Sequence, residues 1–278
     1  MVIDSHQHFW IYHPKHQEWI TDDMSLIQND FLPTDLESLL STNGVDGCIA
    51  VQADQSYEET DFLIHLADQH SFIKGVVGWV DLCSEDIDET LKEYAKNYHF
   101  KGVRHVLQAE QDSFFSNEKF KNGIGRLAKY GLTYDILIYH HQLNQAIELV
   151  SQFPNQKFVL DHIGKPNINK SEIETWSENI GTLSKFPNVY VKVSGLVTEA
   201  DWKNWEYHEM VPYLDIIFEA FGVNRIMFGS DWPVCLLASD YSTVKGIVQD
   251  YIERFDVEQQ KMIMGSTALD FYGITNKI

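Results

Sequence analysis

Short runs rich in β-branched and aromatic residues recur along the chain, each ended by Gly, Asn, Asp or Pro. Between them lie segments whose apolar positions return every three or four residues. Eight runs occupy residues 2–8, 46–53, 74–81, 101–107, 132–138, 157–162, 189–195 and 225–231. Segments such as 60–70, 85–98, 117–130, 142–153 and 171–186 carry the helical period between them, and two more, 241–255 and 257–271, follow the eighth run. This alternation predicts an α/β fold in which eight parallel strands close into a (β/α)8 TIM barrel inside a ring of helices. No Pro/Gly/Ser-rich linker or shift in composition divides the chain, so one domain over 1–278 is expected. An open doubly wound sheet would usually carry a Gly-rich turn after its first strand, a place taken here by His6-Gln7-His8. Residues 9–33, rich in Trp, Tyr and His, are too long for a routine connection and are expected to cover the mouth of the barrel. The two helical segments after the last strand could pack against a second copy or close the barrel floor, and the oligomeric state is left open.

Composition narrows the roles. The 278 residues are 44% hydrophobic and 22% charged, which suits a large packed core and excludes a disordered or fibrous chain. Lys and Arg number 21 against 41 Asp and Glu, a formal net charge of −20 that repels a phosphate backbone or an anionic lipid surface. Neither a nucleic-acid nor a membrane partner is expected. No apolar stretch reaches the roughly 18 residues of a membrane span, and the opening MVIDSHQHFW has no basic region leading into an apolar one, so the chain reads as cytoplasmic. Its three cysteines, Cys48, Cys83 and Cys235, are odd in number and widely spaced, which fits neither a disulfide scaffold nor a C-x-x-C metal site.

The chemistry is sought at the C-terminal ends of the strands, where barrel enzymes collect it. Strand one ends in Asp4-Ser5-His6-Gln7-His8, and strand alternation turns His6 and His8 inward together with Asp4. Two imidazoles one pleat apart suit a shared metal ion or a shared substrate oxygen; equally, one could be a hydrogen-bonded core histidine. Strand eight ends in Gly229-Ser230-Asp231-Trp232-Pro233, where Asp231 could bind metal, act as a base, or cap the next helix. Strand six ends in Asp161-His162-Ile163-Gly164-Lys165-Pro166. There His162 is placed for polarisation or proton transfer, Asp161 alternates with it toward the helix layer, and Lys165 could reach over the mouth or stay solvated. Strand four adds Arg104 and His105, strand five Asp135, and strand seven Lys192 and Ser194. Each alone could be an ordinary interior residue, but so many ionisable groups at strand ends carry too large a desolvation cost to be packing accidents.

Asp4 to Trp10, Lys101 to Gln108 (KGVRHVLQ), Asp161 to Pro166 (DHIGKP) and Phe228 to Pro233 (FGSDWP) together resemble the amidohydrolase-2 group of the amidohydrolase superfamily. Within it the chain looks most like the sugar-lactone hydrolases, L-fuconolactonase and L-rhamnonolactonase, with 2-pyrone-4,6-dicarboxylate lactonase more distant. The match spans nearly the whole chain in order. It implies a (β/α)8 fold, hydrolysis of a ring ester, and catalytic roles for His6, His8, His162 and Asp231. The carboxylated lysine and further histidine that bridge two metals elsewhere in the superfamily have no evident counterpart, so a binuclear centre is not expected. One Zn²⁺ or other divalent cation on His6, His8 and Asp231 is compatible with the resemblance, which also includes lactonases that turn over without metal.

Hydrolysis of a lactone needs an activated water, a stabilised oxyanion and a proton for the leaving alkoxide. Asp231 is expected to activate the water. His6, His8, His162 or a bound metal would polarise the carbonyl, and Arg104 or His105 would orient the substrate. Only Arg104 of the four arginines ends a strand, whereas a dicarboxylate calls for several guanidinium clamps. A neutral aldonolactone, recognised by hydrogen-bonding groups and aromatic faces, is the expected small-molecule partner. Trp10, Trp19, Lys165 and Trp232 are its candidate contacts. The competing readings are a zinc-dependent decarboxylase of an aromatic acid, a 2-pyrone-4,6-dicarboxylate-type lactonase, and a non-catalytic barrel that only binds a metabolite.

Overall fold

The computed structural model describes residues 1–275, so the last three positions of the expected 1–278 domain lie outside the described residues. Eight parallel strands run in sequence order: β1 (Ile3–Gln7), β2 (Gly47–Val51), β3 (Ile73–Gly78), β4 (Phe100–His105), β5 (Thr133–Ile136), β6 (Phe158–Leu160), β7 (Val189–Val193) and β8 (Ile226–Phe228). The sheet closes between its first and last strands. The amide of Asp231 donates to the carbonyl of His6 at 2.8 Å, that of His8 to the carbonyl of Trp232 at 2.7 Å, and Ser5 Oγ to the carbonyl of Phe228 at 2.6 Å. This is the TIM barrel that the alternation predicts.

Helices α2 (Tyr57–Gln69), α3 (Ile87–Tyr94), α4 (Glu118–Leu127), α5 (Leu143–Ser151), α6 (Glu174–Leu183) and α8 (Tyr241–Ile252) coincide with the amphipathic segments. Two more fill the remaining intervals. The first, α1 (Pro33–Thr42), starts on a proline, whose missing N–H is harmless in a first turn, and buries Leu36 and Leu40. The other, α7 (Tyr207–Phe221), runs through Pro212 and buries Met210, Leu214, Ile217 and Phe221. The segment 257–271 is broken into α9 (Val257–Lys261), a wide turn over Met262–Ser266, and α10 (Thr267–Phe271). Helix α10 settles what the last segments do, because Ala268, Phe271 and the following Tyr272 pack under Ile3, Ile49, Val51, Val77, Val159 and Met227 and close the barrel floor.

The larger apolar core lies between barrel and helices, with Leu63, Ile124, Leu149 and Ile217 among its buried members. Above the apolar floor the barrel interior is ionic rather than apolar. No helix among the described residues is long and apolar enough to cross a membrane. All three cysteines are free thiols.

Candidate active site

Histidines 6 and 8 reach the interior through an irregularity in β1. Asp4 pairs with Cys48 and Gln7 with Ala50, so β1 spends three steps where β2 spends two. That extra residue is a bulge, and it reverses the inward–outward parity above it. Ile3 points into the floor, His6 and His8 point inward above it, and Asp4 turns outward, contrary to simple alternation. Asp4 accepts hydrogen bonds from the Ser230 amide at 2.9 Å and the Tyr241 hydroxyl at 3.0 Å, and burial raises its pKa to about 6.

The short β6 stops at Leu160, and the chain then turns through left-handed conformations at His162, Ile163 and Lys165, with φ of 53°, 49° and 47°. The early turn corrects the assignment of Asp161. It faces inward like Val159, and the turn rather than strand alternation carries His162 to the mouth. His162 Nδ1 lies 2.9 Å from Ser194 Oγ. On β8, a Cβ at Gly229 would stand 2.7 Å from that of His6, so only glycine lets the closing strand come this near. Asp231 follows in a left-handed conformation with φ of 59°, and its side chain caps no helix.

These elements bring His6, His8, His162 and Asp231 together. Asp231 Oδ1 lies 3.4 Å from His8 Nε2, 3.8 Å from His6 Nε2 and 3.9 Å from His162 Nε2. The side chains of His8, His162 and Asp231 keep only 4–6% of their surface exposed, so the carboxylate is almost wholly buried at the C-terminal end of the barrel. Burial lowers the pKa of all three imidazoles, most strongly for His6 and His162, and leaves them neutral at pH 7. Burial alone would raise Asp231, but His162, His8 and the Lys165 ammonium outweigh it and hold the carboxyl below its ordinary value. The site therefore presents one ionised carboxylate among three neutral imidazoles.

Beneath it the strand-end ionisable groups of β4, β5 and β7 join Asp161 in one buried ionic layer. Lys192, wholly buried, donates to Asp135 and stands 3.0 Å from Asp161 Oδ1. Arg104 donates to Asp161 Oδ2 at 3.1 Å and to the carbonyl of Gln52. Its Nη1 lies 3.3 Å from His6 Nε2, and His6 Nδ1 lies 3.3 Å from Asp161 Oδ1. Although burial would raise Asp161, Lys192, His6 and Arg104 hold it well below the usual carboxylate range. Asp135, with the Tyr272 hydroxyl donating to it at 2.8 Å, is raised by burial to about 6. Arg104 thus braces the floor of the site, tied to Asp161 rather than free to clamp a substrate.

The other candidate contacts divide. Trp10 packs 6.3 Å from His8, centroid to centroid, and donates to the carbonyl of Asn29 at 2.8 Å; Trp19 lies across it at 5.8 Å, 39% exposed. Both belong to the 9–33 segment, which folds back on itself through paired amides of Trp10 and Phe31. Lys165 stands at the mouth, 3.6 Å from Glu199. His105 does not reach the mouth. It follows the inward-facing Arg104, so it points outward, stacks on Phe114 at 4.9 Å and lies 2.9 Å from Glu110. Trp232 is likewise turned away, wedged between Phe9 and Phe31. Glu199 escaped sequence reading because nothing local marks it; its meaning comes from Lys165, which arrives from a different strand.

Residues 3–274 match the amidohydrolase family. A protein of Burkholderia multivorans called L-fucono-1,5-lactonase is 36% identical over 98% of this chain and 96% of its own length. An L-fucono-1,5-lactonase of Burkholderia ambifaria is 32% identical over 98% and 95% respectively.

The chain belongs to the amidohydrolase family.

A solved amidohydrolase of B. multivorans, crystallised with bound zinc, superposes with a TM-score of 0.95 at 36% identity, covering 99% of this chain and all of that one. The donor set of this amidohydrolase suits such an ion. His8 Nδ1 donates to the carbonyl of Val51 at 2.7 Å, which leaves the lone pair on Nε2. Arg104 can only donate, so its contact marks His6 Nε2 as unprotonated, and an ion held there would take that lone pair in place of the 3.3 Å Arg104 contact. Two imidazole lone pairs 3.2 Å apart and a carboxylate oxygen converge, an arrangement that a divalent cation relieves. His6, Asp161 and His162 form a second, overlapping set of three donors.

Proposed function

We propose that this amidohydrolase is a lactonase that opens the ring ester of a neutral sugar lactone, of the L-fucono or L-rhamnono kind, with Asp231 as the base. The observation that carries the reading is the ionised Asp231 carboxylate ringed by three neutral imidazoles at the mouth of the barrel. The full-length likeness to proteins called L-fucono-1,5-lactonase supports the substrate class.

Asp231 orients a water and accepts one of its protons while the oxygen bonds to the lactone carbonyl carbon. When the Ser194 hydroxyl donates to Nδ1, His162 carries its own proton on Nε2 and offers it as a hydrogen bond to the developing oxyanion. As the tetrahedral adduct collapses, the ring C–O bond breaks and the protonated Asp231 returns its proton to the alkoxide. One water is consumed, and the hydroxy acid formed ionises in solution. A divalent cation held by His6, His8 and Asp231 would add Lewis-acid polarisation of the carbonyl.

The arginines argue against a dicarboxylate substrate. Arg225 is bound to the carbonyls of Phe186, Val189 and Phe221, Arg254 to Asp215, Arg126 to Asn122, and Arg104 to Asp161. No guanidinium is free at the mouth among the described residues. The test is a proton-release screen over sugar lactones and 2-pyrone-4,6-dicarboxylate, run with and without chelator and with CO₂ evolution from aromatic acids alongside. Fastest turnover of an aldonolactone is expected; fastest turnover of the dicarboxylate, or CO₂ release, would replace the reading.

A further inference from the structure

The mouth holds two mostly buried charged side chains, Lys165 and Glu199, that meet each other only in a long ion pair. Lys165 is the last residue of the left-handed turn begun by His162, and its amide donates to the His162 carbonyl at 2.8 Å. Glu199 closes the short helical turn Val197–Glu199 after β7, just beyond the Ser194 that contacts His162. The two therefore flank the same imidazole from neighbouring strands. Their charged ends approach to 3.6 Å, too far for a hydrogen bond, and are only 18% and 20% exposed. Beyond this ion pair, the Lys165 ammonium lies 5.5 Å over the ring face of Tyr139. Burial raises the pKa of Glu199, with Lys165 opposing and Asp231 adding to the rise, which places the pair within electrostatic reach of the base.

A mostly buried ammonium and carboxylate held only in a long ion pair keep hydrogen-bonding capacity that a ligand at the mouth can take up. Together they are neutral, so they gain nothing from a charged ligand. An ammonium offers only donors and an ionised carboxylate only acceptors, and a hydroxyl can satisfy either. We propose that Glu199 and Lys165 form the subsite that reads the ring hydroxyls of the lactone, Glu199 accepting from one hydroxyl and Lys165 donating to the same or a neighbouring one. This deepens the lactonase reading and rests on it. It makes Glu199 a specificity-determining residue and predicts that a polyhydroxylated ring is turned over better than an unsubstituted one.

A cycle that combines enzyme and substrate changes tests it. kcat/KM is measured for the preferred sugar lactone and for analogues lacking one hydroxyl at a time, on the wild type and on E199Q and K165M, with thermal melting to confirm folding. Turnover of the sugar lactone by the wild type tests the parent reading by itself. For at least one hydroxyl, the wild type should lose about tenfold or more on its removal, and that loss should shrink to about twofold in E199Q. The nearly isosteric E199Q preserves the shape of the mouth, and K165M reports separately on the donating half. If every deoxy analogue shows the same penalty in both variants as in the wild type, or none shows a penalty in the wild type, the subsite is overturned while the lactonase reading stands.

Discussion

A Cβ on Gly195 would stand 2.6 Å from Nδ1 of His162, closer than any side chain tolerates, and the backbone there is left-handed with φ of 64°. The tip of β7 is thus shaped around the imidazole that faces Asp231. Gly195→Ala should displace His162 and reduce kcat on a sugar lactone by roughly 100-fold. The strained backbone should take only roughly 1–2 kcal/mol from stability, as denaturant titration will show. A variant with wild-type kcat would mean that His162 contributes nothing from its present position.

The ionic layer under the site makes a separate prediction. Removing the ammonium in Lys192→Met leaves Asp135 and Asp161 facing one another, wholly buried. Breaking such a cluster from one side typically costs about 3–5 kcal/mol, measurable by urea unfolding. Adding Asp135→Asn to the same chain should restore part of that loss, because one of the stranded charges is removed. If Lys192→Met is as stable as the wild type, the cluster does not brace the barrel.

How much of this could be read from the chain alone follows from where the information sits. The hydrophobic period marks all eight strands, and His6, His8, His162 and Asp231 are visible because each lies at or just past the C-terminal end of a strand. Asp4 and Asp161 were assigned to the wrong faces because alternation holds only while the strand is regular. A bulge in β1 and a left-handed turn after Leu160 shift the parity, and neither is written in the residues themselves. His105 and Trp232 share motifs with the inward-facing Arg104 and Asp231 yet point outward. Glu199 and Lys192 acquire their meaning from partners 34 and 57 or 31 positions away in the chain, which no local pattern encodes.

The electrostatics fix the shape of the pH profile. Burial holds the pKa values of His6, His8 and His162 below 6.5, so lowering the pH protonates them later than a free imidazole, and Asp231 stays ionised below its ordinary 3.8. These groups therefore produce no loss of kcat/KM between pH 8 and 6.5, where the rate should hold within about twofold. The raised Glu199 is protonated earlier on acidification than an ordinary glutamate and should contribute to the first decline below that window. An inflection near pH 7 would show that an imidazole titrates in the working range.

Metal binding is predicted at one site. Equilibration with zinc followed by gel filtration and elemental analysis should give about one ion per chain. His8→Ala, which removes the Nε2 donor fixed by the Val51 carbonyl, should retain markedly less. Two tightly held ions per chain, or undiminished retention by the variant, would relocate the site.

The most direct test concerns Asp231. Asp231→Asn keeps the size of the side chain and removes the negative charge and the proton acceptor. Steady-state proton release from the preferred sugar lactone should fall by roughly 10²–10⁴-fold in this variant, with the melting temperature near that of the wild type. Turnover within a few-fold of the wild type by a correctly folded Asp231→Asn protein would contradict the account.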